Sequence, residues 1–308
     1  MTEKIFKPIT ITPNFYQLGT HSFPSYLSMG EEGMIIEGGT GATYSIIKRQ
    51  IEVLGIDPMR IKYIALTHTH ADHIGALPHL YIIWPHLKVL ASSAAAKILR
   101  KSETVKEFLW VDGNIAKLMK AKGEIKELPP LLEDYRFEVD RVVKEGDRIS
   151  LGSGIEWRVH LTPGHSPCHI AFYEEKEDSL IIGDTTGFYV PEKDVFWPNY
   201  FDSLEDYCNS IQKLSAFPAK RGVLSHNCVI EGDVKKHFEK ALKATESYHH
   251  EIIKRLSDGE NAEDIAMEKA QWVNTLTDIQ PFKVILNLSK LLVRRSQAEA
   301  EKPDLFAI

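Results

Sequence analysis

The stretch IALTHTHADHIGALPHL, residues 64–80, constrains this chain more than any other. A short apolar run, IKYIAL, ends in a string that packs His68, His70, Asp72 and His73 into six positions. The apolar run reads as a buried strand, so the polar string sits at a strand's C-terminal end. Open α/β sheets place their sites there. Alternate residues put His68 and His70 on one side, with Asp72 and His73 at a neighbouring point. Imidazole and carboxylate together are donors for zinc, iron or manganese. Three later places repeat the context of apolar strand followed by polar donor: His165 in LTPGHSPCH, Asp184 in SLIIGDTT and His226 in RGVLSH.

The surrounding pattern is layered α/β. FYQLG, SYLSMG and GMIIEGG read as short strands closed by glycines, and TYSIIKRQIEVLG as a helix with Ile46, Ile47, Ile51 and Leu54 on one stripe. KVLASS is a strand, and residues 93–122 turn helical. Strands are expected at YRFEVD, RISLG, IEWRVHLTP, HIAFYEE and SLIIGD. Beyond residue 202 the pattern is helical apart from the strand GVLSH, and the last residues, AEAEKPDLFAI, are expected to fray. The expected organisation is a catalytic domain over 1–232, with a helical insertion at about 93–122, and a helical extension over 233–308 packed on it.

Composition excludes some classes. The 308 residues are 43% hydrophobic and carry a net charge of -6, so no basic field calls for nucleic acid. No run of about 18 apolar residues predicts a membrane span. MTEKIFKPITITPNF has no apolar core after its lysines, so it is not read as a signal peptide. Three widely spaced cysteines, Cys168, Cys208 and Cys228, suit a reducing cytoplasm. The expected location is cytoplasmic, the expected partner a small-molecule substrate, and a homodimer is left open.

THTHADH at 67–73, TPGHSPCH at 162–169, GD at 183–184 and SH at 225–226 together resemble the metallo-β-lactamase-fold hydrolases, in their dinuclear glyoxalase-II-like branch. The resemblance covers residues 12–230. It implies an αββα sandwich with two divalent transition metals, zinc first and iron or manganese also suited. It further implies His68, His70 and His165 on one metal, Asp72, His73 and His226 on the other, and Asp184 bridging. The family's early strand-end motif carries Asp before its glycine, where this chain has Glu37. That position supports the metal loop rather than binding metal. His79 is read as a helix residue, and His169, His237 and the other remaining histidines as structural.

The implied chemistry is hydrolysis by a metal-activated water, with Asp72 as the catalytic proton acceptor. The bridging Asp184 and the absence of a signal peptide argue against a lactamase. The layout is also similar to a subgroup that includes the alkylquinolone-pathway (aroylacetyl-CoA) thioesterase. Trp110, Phe188, Tyr189, Trp197 and Tyr200 are candidate walls of an apolar pocket. The expected activity is therefore a thioesterase on an apolar or aromatic acyl-CoA-type thioester. A lactonase or a phosphodiesterase/nuclease of the same fold is the alternative. A ligand- or partner-binding regulator with residual hydrolase activity is the alternative from another class.

Overall fold

The computed structural model describes residues 5–133, 135–300 and 305–306. The chain divides into two units, one of Met1–His160 with Phe172–Glu177, the other of Leu161–Ala171 with Asp178–Ile308.

The first unit is built on a seven-stranded sheet whose spatial order follows the sequence: β1 (Ile9–Thr12), β2 (Phe15–Gly19), β3 (Pro24–Met29), β4 (Gly33–Ile36), β5 (Ile61–Ala65), β6 (Lys88–Ser92) and β7 (Arg141–Val143). The first four pair antiparallel through short turns. From β4 onward the pairs are parallel, so each needs a crossover. The crossovers carry α1 (Tyr44–Val53), then α2 (Ala71–Ile74) with α3 (Leu77–Ile83), then α4 (Ser93–Leu99) with α5 (Ser102–Ala121). Ile64, Ala65 and Leu66 are fully buried, which explains the apolar residues at the end of β5 ahead of the histidines. Strands β8 (Arg148–Gly152) and β9 (Ile155–Leu161) form an antiparallel hairpin. Its Ser153–Gly154 turn has φ of 53° and 78°, the left-handed pair that matches strand twist.

Three local differences from the sequence pattern have physical causes. The buried stripe of α1 is Ile47, Gln50 and Ile51. Gln50 is buried because its amide satisfies both backbone groups of Gly19, at 2.6 and 3.0 Å. YRFEVD forms no strand. There the Asp140 side chain, rather than a ladder partner, accepts the Val89 N–H at 2.8 Å, and β7 starts at the next residue. The helical stretch 93–122 is two helices, α4 and α5, broken at Arg100–Lys101.

The residues of β10 (Ile170–Glu174) are shared between the units. The second unit continues with β11 (Ser179–Gly183), the ribbon β12 (Phe188–Val190) and β13 (Val195–Trp197), α6 (Leu204–Ser215), β14 (Arg221–Leu224), β15 (Val229–Glu231), α7 (Val234–Ser257), α8 (Ala262–Leu276) and α9 (Phe282–Ala298). β11 pairs parallel with β14, and β14 antiparallel with β15. The ribbon, absent from the sequence-based pattern, pairs Phe188 with Trp197. The end of α9 is tied down: the Glu299 carboxylate accepts the Leu204 and Glu205 N–H groups at 2.9 and 2.7 Å, capping α6. Of the terminal residues expected to fray, 301–304 and 307–308 lie outside the described residues. Among the described residues no helix is long and apolar enough to cross a membrane.

His237 on α7 is buried against Tyr189 and Phe196, with Nε2 3.2 Å from Thr186 Oγ1. Burial pulls its imidazole down to about 4, with Lys240 acting the same way and Asp194 opposing. The unfolded chain takes up this proton near 6.5, so between those values it binds more protons than the folded chain. Stability therefore falls as pH drops from 6.5 to 4, by about 3 kcal/mol from this group. His237→Gln is expected to flatten that part of the pH profile, read by denaturant unfolding at successive pH values. A slope unchanged from wild type would show that His237 is not the titrating group.

Candidate metal centre

In the first unit β5 delivers the histidine string directly. Parallel pairing continues past the strand end, with Leu66 N donating to the Leu90 carbonyl and Glu37 N to the Ala65 carbonyl. His70 then caps the single turn α2, which carries Asp72 and His73. His68, Asp72 and His73 are buried, and His70 is half-buried. His68 Nε2 lies 3.1 Å from His70 Nδ1, and His73 Nε2 lies 3.6 Å from Asp72 Oδ1.

Glu37 sets the imidazole tautomers. It is 1% exposed and sits at φ 70°, a left-handed conformation that costs a non-glycine residue about 1 kcal/mol or more. Its Oε1 accepts the Thr67 hydroxyl at 2.8 Å, and Thr67 Oγ1 in turn lies 3.0 Å from His68 Nδ1. Its Oε2 lies 3.0 Å from His73 Nδ1. A carboxylate only accepts, so the hydroxyl proton points to Glu37, and His68 and His73 both carry their proton on Nδ1. Their Nε2 atoms thereby carry the lone pair, the form in which an imidazole can bind a metal.

In the second unit the donors come from two strand ends and a turn. Asp184 follows β11, His226 follows β14, and His165 lies in the turn after β9. Asp184 Oδ2 stands 3.4 Å from His165 Nε2 and 3.8 Å from His226 Nε2. His165 Nδ1 faces the Asn199 carbonyl at 3.0 Å, so this imidazole also presents Nε2. His169 holds Asp184 in place. Its Nε2 accepts the Asp184 N–H at 3.1 Å, and its Nδ1 donates to Thr162 Oγ1 at 2.7 Å. Gly183, at φ 64°, leaves room for that imidazole: a Cβ there would lie 2.5 Å from His169 Nε2.

These separations test whether the residues fit a metal. Two donors on one tetrahedral ion, with bonds near 2.1 Å, stand about 3.4 Å apart. The four pairs, His68–His70, His165–Asp184, Asp72–His73 and His226–Asp184, span 3.1 to 3.8 Å. Each of the seven predicted donors therefore stands at ligand spacing from another in its own unit. Among the described residues the candidate ligand groups contain no cysteine, and burial pushes the Cys228 thiol up to about 11 and Cys208 up to about 12.

The predicted substrate residues are dispersed. The Phe188 ring lies 5.3 Å from that of His226. Trp197 is buried against Phe201, whose ring lies 5.3 Å from His165. Tyr189 donates from its hydroxyl to Asp194 at 2.9 Å. Tyr200 is fully buried and bonded to Ser296 at 2.8 Å, and Trp110 is 52% exposed on α5. Phe201 is not singled out by the sequence, and His169, read there as structural, holds Asp184. His169 sits four residues after His165, within the same motif, and that spacing was the available signal.

Residues 25–226 match the profile of the metallo-beta-lactamase superfamily. Among curated proteins, the chain is 25% identical over 239 residues to an atrochrysone carboxyl ACP thioesterase of Aspergillus fumigatus, covering 75% of this chain and 58% of that one. It is 28% identical over 134 residues to a hydroxyacylglutathione hydrolase of Francisella tularensis, covering 44% and 37%. The chain spans about half the length of the curated relatives it matches. A metallo-beta-lactamase family protein of Thermus thermophilus superposes over 95% of both chains with a TM-score of 0.67 at 20% identity, which shows the shared fold.

Glu37→Gln replaces one acceptor by a donor and breaks the tautomer relay. It is expected to weaken metal binding by about 10–100-fold, measured by competition with a chromophoric chelator. Wild-type affinity in a folded variant would remove Glu37 from the relay.

Proposed function

The chain belongs to the metallo-beta-lactamase superfamily, and on that premise we propose a dinuclear metal-dependent thioesterase. His68, His70 and His165 would hold one divalent ion, Asp72, His73 and His226 would hold the other, and Asp184 would be shared between them. The ligand spacing of the four donor pairs carries this reading, with three imidazoles held at Nδ1 so that Nε2 is presented. Zinc suits the set best, and iron and manganese suit it too.

Bound there, the ions supply a water acidified to near neutrality and a Lewis acid for the substrate carbonyl. The chain's own residues do the rest. With the metal bound, Asp72 would hold it through one carboxylate oxygen and could take a proton on the other. Glu37 and the Asn199 carbonyl keep the imidazoles in donor orientation. Phe188 and Phe201, packed on His226 and His165, exclude water and give an apolar wall to an acyl group. Trp197 backs that wall, with Tyr189 and the exposed Trp110 as further substrate contacts.

The thioester preference is supported by the ACP thioesterase similarity over 75% of this chain. It also suits the chemistry, since a thiolate, with a conjugate thiol pKa of about 8.5, leaves without a proton donor. Purified protein is expected to hold about two transition-metal ions per chain and to hydrolyse acyl-CoA thioesters faster than lactones or bis-p-nitrophenyl phosphate. Preference for the phosphodiester would overturn the substrate reading. Asp184→Asn is expected to cut kcat by about 100-fold with the fold intact, and unchanged turnover would remove the bridge.

A further inference from the structure

The buried stripe of α5 is Asp112, Ile115, Ala116 and Met119. One carboxylate therefore points into the core with three apolar neighbours, and it is only 8% exposed. Its Oδ1 accepts the Gly41 N–H at 2.8 Å. The carboxyl group is wedged between two glycines from different segments. A Cβ on Gly41 would lie 2.4 Å from Asp112 Oδ2, and a Cβ on Gly75 would lie 2.2 Å from Oδ1. No side chain fits at those distances, so only glycine at both positions admits the carboxyl.

Each glycine leads to the metal loop. Gly75 closes the turn α2 that carries Asp72 and His73. Gly41 follows the segment in which Glu37 faces His73 and Gly38 N donates to the His73 carbonyl at 2.7 Å. The two segments touch again where Ala76 N donates to the Gly39 carbonyl at 3.3 Å.

We propose that Asp112 is a positioning residue for the metal loop: seated between Gly41 and Gly75, it locks the 71–76 turn to the 37–41 segment and fixes the directions of Asp72 and His73. The inserted helix α5 thus holds one edge of the site from behind. The locking stands on the hydrogen bond and the two close approaches; its consequence for metal affinity rests on the dinuclear reading above. Burial pushes the Asp112 carboxyl up to about 7, with the Gly41 hydrogen bond opposing. Asparagine is its isosteric substitute and keeps an oxygen to accept the Gly41 N–H.

The test compares wild type, Asp112→Asn and Asp112→Ala in the full chain, by hydrogen exchange with the metal present and after chelation, and by metal affinity. In the alanine variant, peptides covering 66–76 are expected to exchange about tenfold faster, with peptides from α8 unchanged. Metal affinity is expected to fall about 10–100-fold, and asparagine, which keeps the acceptor for Gly41, should restore both. If the alanine variant does not fold, Asp112→Ser is read in the same way. Unchanged exchange over 66–76 together with lower global stability would make Asp112 a core-packing residue and overturn the proposal. Wild-type protein that takes up no metal would overturn the dinuclear reading alone, and the exchange comparison would still decide the role of Asp112.

Discussion

The Glu37 carboxylate accepts on both oxygens, from Thr67 on one side and His73 on the other, and the chemistry of the first unit follows from that pair of bonds. Because a carboxylate has no proton to give, both partners must donate. Thr67 is then left to accept from His68, and two imidazoles are committed to one tautomer by a single buried group. Without it, either ring nitrogen of each histidine could hold the proton, and for each ring one of its two states would present an N–H where a lone pair is needed. The left-handed backbone at Glu37 is the conformational cost of bringing a long acidic side chain under the loop.

The second unit solves the same problem with other groups. A backbone carbonyl, that of Asn199, orients His165, and an imidazole, that of His169, holds the backbone of Asp184. Asn199 and Phe201 belong to the stretch that leads into α6, whose first turn is capped by Glu299 from the end of α9. Arg295 adds a bond to the Phe201 carbonyl at 3.0 Å. The C-terminal helices therefore steady the segment that orients one histidine and packs an aromatic ring on it. Distant chain and functional chain are linked through hydrogen bonds that no local pattern announces.

Much of the site was legible because strand ends are legible. An apolar run closed by His, Asp or His-x-His-x-Asp-His marks a donor at a sheet edge whatever the rest of the chain does, and His68, Asp184 and His226 all follow that rule. Glu37 was visible as a departure from the family's aspartate, and its supporting place was expected. Its two-sided relay was not, because it depends on φ at Glu37 and on which way the Thr67 hydroxyl turns. Asp112 was hidden in plain periodicity. It falls in register with Ile115, Ala116 and Met119, but a charged residue is not counted in an apolar stripe. Likewise YRFEVD has strand composition, and only the Asp140 side chain taking over a ladder bond shows why the strand begins after it.

By itself the sequence determined the α/β layering and that His68, Asp184 and His226 follow apolar strands, since these come from side-chain type and from periods of two and 3.6 residues. Tertiary structure decided which nitrogen of each imidazole is presented, what holds Asp184, and that Tyr200 lies in the core while Phe188 lies against His226. Those outcomes depend on contacts between residues far apart in the chain, and hydrogen-bond direction and packing exist only once those residues meet.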